Sequence, residues 1–206
     1  FISEAKEKSA TFTFGRFNPP TTGHEKLVKK LLSVGRGTDV LLFSSHSNDK
    51  RKNPLNHRDK VKYLKKFFGK IVVDANVRTV FEICNFLQEK KYVNINMVVG
   101  SDRVKEFEML ITKYNGVKAR HGFYKFKNIN IISAGERDPD ADDVSGMSAS
   151  KMREFAEKGD FEGFKDGVPS KGKNLAKKLY DDIRKGMGIN EGNLPQYMME
   201  DLITEG

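Results

Sequence analysis

Cysteine occurs once in the 206 residues, at Cys84. A lone thiol excludes an internal disulfide framework and fits a reducing compartment. Its helical spacing with Val80, Ile83 and Leu87 reads as a small buried hydrophobe. Long apolar runs are missing too. Stretches such as Val40-Leu41-Leu42-Phe43 fall far short of the roughly 20 residues that cross a bilayer, so no membrane partner is expected. The first residues are polar and charged and give no signal-peptide pattern, which leads to an expectation of cytoplasmic localisation. Phe1 in place of an initiator Met suggests numbering that starts inside a longer reading frame or after processing. His46, His57 and His121 lack metal-ligand spacing; they read as surface or turn residues, and no protein metal site is expected. Repeats and low-complexity tracts are also missing.

What the chain does have is positive charge, a formal +9. It is uneven: residues 50–70 and 171–185 are rich in Lys and Arg, while beyond Ile189 the ionised side chains are all acidic. A basic surface attracts nucleic acids, nucleotides and small polyanions alike. No recognised nucleic-acid motif accompanies the charge, so nucleic acid is not the expected partner. Hydrophobic content of 37% suits one good core with a small C-terminal appendage.

Strand-like and helix-like stretches alternate from residue 11 to about residue 134, the mark of a parallel α/β sheet. Strands are expected at 11–14, 39–43, 71–73, 95–99 and 129–133, and helices near 24–33, 58–68 and 77–89. A shorter helix is expected after Ser101, with Ser101 or Asp102 as its cap. Residues 135–146, rich in Asp, Gly and Pro, read as a loop. Helices resume at Ser148, at 160–165 and at 175–187, the last placing Leu175, Leu179, Ile183 and Met187 on one side of a basic helix. The expected fold is a Rossmann-like parallel sheet with flanking helices and a small C-terminal helical extension. Its divisions are an arm at 1–10, a main domain at 11–158, the extension at 159–189 and an acidic tail at 190–206.

Three segments at the C-terminal ends of expected strands carry chemistry, because open α/β sheets bind ligands there. Gly15-Arg16-Phe17-Asn18-Pro19-Pro20-Thr21-Thr22-Gly23-His24 joins a strand to a helix start, aiming backbone N–H groups and a histidine at one point. Val98-Val99-Gly100-Ser101-Asp102 runs a strand into a small-residue turn. Ser148-Ala149-Ser150-Lys151-Met152-Arg153 sets hydroxyls and a helix N-terminus beside cations, a combination suited to a polyphosphate. Lys50-Arg51-Lys52 reads either as a contact to an acceptor phosphate or as a solvated loop.

The early Thr21-Thr22-Gly23-His24 and the late Met147-Ser148-Ala149-Ser150-Lys151-Met152-Arg153 resemble the two signature elements of the nucleotidyltransferase superfamily. Gly15-Arg16-Phe17-Asn18-Pro19 looks most like archaeal-type nicotinamide mononucleotide adenylyltransferases, and Asn18 stands where cytidylyltransferases usually carry Asp. The resemblance implies transfer of AMP from ATP, with Mg²⁺, to a phosphorylated small molecule such as nicotinamide mononucleotide. It implies His24, Thr21 and Arg153 as catalytic residues, and Gly15, Arg16, Phe17, Gly23, Gly100, Asp102, Ser148 and Ser150 as nucleotide-binding ones. Asp102 reads equally as a helix cap. Ala149 departs from the pattern by removing one hydroxyl. The whole chain is also similar to nucleotidyltransferase-like proteins of T4-like bacteriophages, through Phe1-Ile2-Ser3-Glu4-Ala5, Asn53-Pro54-Leu55 and Gly159-Asp160-Phe161-Glu162-Gly163-Phe164. That likeness keeps open a fold-retaining binding protein of a virion, or contacts between copies of the chain, beside the CTP-using alternative.

Overall fold

Ala10, Phe12 and Phe14 alternate with Thr11 and Thr13, and this period of two forms strand β1 (Ser9–Gly15). In the computed structural model, which describes residues 7–135 and 147–189, β1 lies inside a parallel sheet. Its neighbours are β2 (Asp39–Ser44) on one side and β3 (Asn94–Val99) on the other, with β4 (Asn128–Ser133) outside β3. Phe12 sits opposite Leu41 of β2 and Met97 of β3. The chain therefore leaves β1 in one direction and returns on its other side, which opens a crevice at the C-terminal ends of β1 and β3.

One face of the sheet buries Ala10, Phe12, Phe43, Ile95 and Met97 against helices α3 (Val80–Glu89) and α4 (Val104–Lys113), through Ile83, Cys84, Leu87, Phe107 and Ile111. Cys84 is fully buried, and burial pushes its thiol up to about 12, so it packs as a hydrophobe. On the other face α1 (Thr22–Val34) and α2 (His57–Phe68) cover β1 and β2 with Val28, Val61 and Leu64 around Phe17 and Leu42. Over the first halves of β3 and β4 that face is polar. Asn130 donates to Asn96 at 2.9 Å and Asn96 to Thr11 at 3.1 Å, so the amides satisfy one another across three strands.

A second layer of helices grows from α2. Tyr63 and Phe67 of α2 share a buried cluster with Met152 and Ala156 of α5 (Ala149–Lys158), Phe164 of α6 (Phe161–Asp166), and Leu179 and Ile183 of α7 (Ala176–Met187). The Tyr63 hydroxyl donates to Asp182 at 2.5 Å, tying α2 to α7. Helix α7 approaches the Pro54 backbone so closely that a Cβ on Gly186 would overlap the Pro54 carbonyl oxygen. Neither backbone can give way cheaply, so Gly186→Ala is expected to cost about 2 kcal/mol or more, read as a lower urea midpoint at unchanged slope.

Several expectations are corrected. Residues 71–73 form no strand of their own: a 3₁₀ turn (Gly69–Ile71) precedes a single parallel bridge between Leu42 and Val72. Three residues provide little more than one ladder rung. The third helix starts at Val80 rather than 77, because Thr79 accepts from the Glu82 amide at 3.2 Å and fixes the start there. Neither Ser101 nor Asp102 caps α4; a 3₁₀ turn (Ser101–Arg103) intervenes, and the residue preceding the helix, Arg103, makes no side-chain cap. Ser9 and Ala10 belong to β1 rather than to an arm. Residues 1–6, most of the 135–146 loop and the acidic tail from 190 lie outside the described residues.

Candidate functional site

The turn after β1 is locked from three sides. Phe17 is buried with φ of 47°, and its ring packs so closely on Gly15 that a Cβ there would sit 3.0 Å from it. Asn18, 1% exposed, donates to the Leu55 carbonyl at 2.8 Å and accepts from the Leu55 amide at 3.0 Å. This fork brackets the turn against the segment entering α2. The Asn18–Pro19 bond is cis. The Thr22 amide donates to the Gly167 carbonyl at 2.9 Å, fastening the start of α1 to the end of α6.

The Thr-Thr-Gly-His run acquires a physical meaning here. Thr21 is the N-cap of α1, and its hydroxyl accepts from the His24 amide at 3.3 Å. In return the Thr21 amide donates to His24 Nδ1 at 3.1 Å. This is a capping box in which imidazole replaces the usual Glu or Gln. Because Nδ1 accepts from a backbone N–H, the neutral ring carries its proton on Nε2. Phe17 lies against the ring at a centroid distance of 4.8 Å. His24 is thus held as a donor of fixed tautomer at a helix N-terminus, where backbone dipoles favour an anion.

The late motif arrives at the same turn. Arg153 donates through Nη1 to the Asn18 carbonyl at 2.7 Å and through Nη2 to the Ser150 hydroxyl at 3.1 Å. Ser148 is the N-cap of α5, its hydroxyl accepting from the Lys151 amide at 3.1 Å. Residues 135 positions apart therefore meet, and the N-termini of α1 and α5 flank one turn. Burial, followed by the nearby Arg16 guanidinium, lowers the pKa of Arg153; Asp49 opposes the shift. Gly15, Arg16, Phe17, Thr21, Gly23 and His24 thus lie on the turn or the first turn of α1, joined by Ser150 and Arg153. Gly100 and Asp102 sit beyond the end of β3, with Asp102 exposed, and no hydrogen bond among the described residues joins either to the turn. Lys50, Arg51 and Lys52 are exposed on a tight turn whose Asp49 carboxylate accepts from the Arg51 and Lys52 amides at 3.0 and 2.7 Å.

Two features were not read from the sequence. Lys60 is fully buried, and its ammonium donates to the Ser45 carbonyl at 2.6 Å. Burial, with Arg16 adding repulsion, pushes this ammonium down to about 8. The signal was available: Lys60 lies at i with Tyr63, Leu64 and Phe67 at i+3, i+4 and i+7, so it falls on the apolar face of its own helix. The second feature concerns the histidines. His46 and His57 are each half-buried; their rings stack at 3.6 Å, and Ser44 Oγ lies 3.3 Å from His57 Nδ1. Burial first and His46 second lower the pKa of His57. Ser45 Oγ and His46 Nε2 are buried beside them without a hydrogen-bond partner among the described residues. His121 is also packed, against Phe81 and Tyr114. Among the described residues no group of three or more His, Cys, Asp or Glu is placed to hold a metal ion. No described helix is long and apolar enough to cross a membrane.

A parallel sheet with a switch point between β1 and β3, two helix N-termini on one turn and clustered cations define a nucleotide-binding α/β protein of the nucleotidyltransferase fold. The chain belongs to the cytidylyltransferase-like family, whose profile matches residues 12–155. Its structure is similar to that of a protein of Vibrio parahaemolyticus assigned as a nicotinate-nucleotide adenylyltransferase, at a TM-score of 0.50 and 14% identity. The likeness covers 82% of this chain and 99% of that one. It is equally similar to a Plasmodium falciparum nicotinic acid mononucleotide adenylyltransferase complexed with NaAD, at a TM-score of 0.50 and 16% identity, over 85% of this chain and 98% of that one. No curated protein sequence matches the chain.

Proposed function

We propose that the protein transfers AMP from ATP to the phosphate of a small acceptor and releases pyrophosphate. The leading acceptor is a pyridine mononucleotide: nicotinamide, as the resemblance of Gly15-Arg16-Phe17-Asn18-Pro19 implies, or nicotinate, as the two structural relatives' own names suggest. The observation that carries the reading is Arg153 reaching the carbonyl of Asn18 on the turn that holds Thr21 and His24.

In the reaction an acceptor phosphate oxygen attacks the α-phosphorus in line. A new P–O bond forms as the bond to the bridging oxygen breaks, and pyrophosphate leaves with that electron pair. The attacking phosphate is already ionised at neutral pH, so no general base is needed and the work is positioning and charge stabilisation. His24 Nε2–H donates to an α-phosphate oxygen, where charge builds. Thr21 orients His24 and adds a hydroxyl, Arg16 lies along the triphosphate, and Ser148, Ser150 and Arg153 receive the β- and γ-phosphates. Gly100 and Asp102 border the ribose and base. Mg²⁺ would arrive held by the nucleotide's own phosphates and would offset their charge; among the described residues no cluster of three or more His, Cys, Asp or Glu is placed to ligate it.

The reaction is assigned to the cytoplasm and to residues 11–158 together with Ser9 and Ala10 of β1, with 159–189 as a supporting extension. The likeness to phage proteins adds no substrate. The test is pyrophosphate release from ATP with nicotinamide and nicotinate mononucleotides and a panel of other phosphorylated acceptors, repeated with CTP. Turnover with ATP is expected. Turnover with CTP alone moves the protein to the cytidylyl reading, and a folded protein inactive with both nucleotides contradicts nucleotidyl transfer.

A further inference from the structure

Buried ammonium groups are costly unless an opposite charge accompanies them. Lys60 is fully buried, yet among the described residues no carboxylate pairs with it; its Nζ donates to the uncharged Ser45 carbonyl at 2.6 Å. The groups around it sharpen the problem. Arg16 on the turn repels it, and the same Arg16 repels Arg153 of α5. On its own helix His57 lies one turn earlier, stacked on His46 of the β2–α2 connection. The carboxylates in the neighbourhood act elsewhere, Asp49 on Arg153 and Asp74 on His57.

The position explains the arrangement. The Ser45 amide donates to the Gly15 carbonyl at 2.9 Å, so the carbonyl that Lys60 holds belongs to a residue bonded to the last residue of β1. The ammonium is therefore linked through the Ser45 backbone to the point where β1 opens into the turn of Thr21 and His24. We propose that the charge of Lys60 is balanced at a distance by the substrate: the chain supplies no counter-charge, and the polyphosphate of the bound nucleotide does. Lys60 is then a positioning residue. It acts through the field and through the Ser45 carbonyl without touching the nucleotide. The inference rests on the proposed nucleotide reading.

Binding of a polyanion must draw a proton onto Lys60. With the ammonium titrating at about 8 in the free protein, ATP binding at pH 8 takes up about half a proton. ATP affinity falls by about tenfold between pH 7 and pH 9 as the free protein gives that proton up. The phosphates of ATP are already ionised at pH 8, so the uptake belongs to the protein.

The experiment is titration calorimetry of ATP in buffers of different ionisation enthalpy, on the full chain and on Lys60→Met. The expected result is uptake in the native chain, no uptake in the variant, and affinity at pH 7 about tenfold weaker in the variant. The variant is also expected to melt at a higher temperature at pH 7. The folded-state pKa lies below the ordinary lysine value of 10.5, so the charge penalises folding fully below about pH 8 and fades as pH rises towards 10.5. A lysine that merely tethers Ser45 gives the opposite: a lower melting temperature and unchanged uptake. ATP binding without proton uptake overturns the inference and leaves the nucleotide reading standing, whereas no ATP binding at all overturns both. If Lys60→Met does not fold, the native chain decides alone, since an affinity flat from pH 7 to pH 9 also overturns it.

Discussion

His24→Glu is expected to abolish nucleotidyl transfer while leaving the protein at least as stable as before. The third residue of a capping box is ordinarily Glu or Gln, and the introduced carboxylate accepts from the Thr21 amide as Nδ1 does now. The helix start is kept, and a negative charge in the first turn suits the dipole. What changes is the side facing the substrate, where a donor becomes an anion opposite the α-phosphate. Loss of a single preorganised donor costs about 10²–10³ in kcat, and reversal of charge costs more. His24→Ala separates the two roles differently. It loses the donor and also the cap, so the same drop in kcat comes with about 1 kcal/mol less stability. A His24→Glu protein that melts normally and still turns over places the chemistry somewhere other than this turn.

The second large effect belongs to Arg153. Its fork spans the Asn18 carbonyl and the Ser150 hydroxyl, at 2.7 and 3.1 Å, and is half-buried beside Arg16. Arg153→Ala is expected to raise KM for ATP about 100-fold, the scale of one or two charge-assisted hydrogen bonds. Stability changes little, since relief of the repulsion with Arg16 offsets the lost contact to Asn18. Arg153→Lys keeps the charge but reaches only one partner at a time, so it recovers only part of the loss. Steady-state kinetics with ATP varied, alongside melting curves, separates the outcomes. Equal KM values in all three proteins contradict a triphosphate role for the α5 N-terminus.

The strands were legible where the pattern was long enough to carry a period: Ala10, Phe12 and Phe14 against Thr11 and Thr13 reads as a strand without help. Residues 71–73 offered three apolar positions and no alternation, and only one parallel bridge forms there. The motif residues were legible as types, but the reason for Thr21 before His24 was not. Only the fold shows the pair exchanging hydrogen bonds, and with them which ring nitrogen faces outwards. Asn18 read as a residue bearing on base preference; in the structure its buried amide is committed to Leu55. That contact joins residues 37 positions apart, and no local pattern announces it. Lys60 is legible only through its neighbours: Tyr63 and Leu64 at i+3 and i+4 put it on the apolar face, against the usual solvent placement of a lysine. The stacking of His46 on His57 was not legible, because it depends on the end of β2 meeting the start of α2.

The most direct measurement is a structure of the full chain with a non-hydrolysable ATP analogue. One triphosphate is expected to bridge the two motifs, its α-phosphate oxygen within about 3 Å of His24 Nε2 and its γ-phosphate on Ser150 and Arg153. An analogue bound elsewhere, or one that touches His24 while Arg153 faces away from it, contradicts a single shared site.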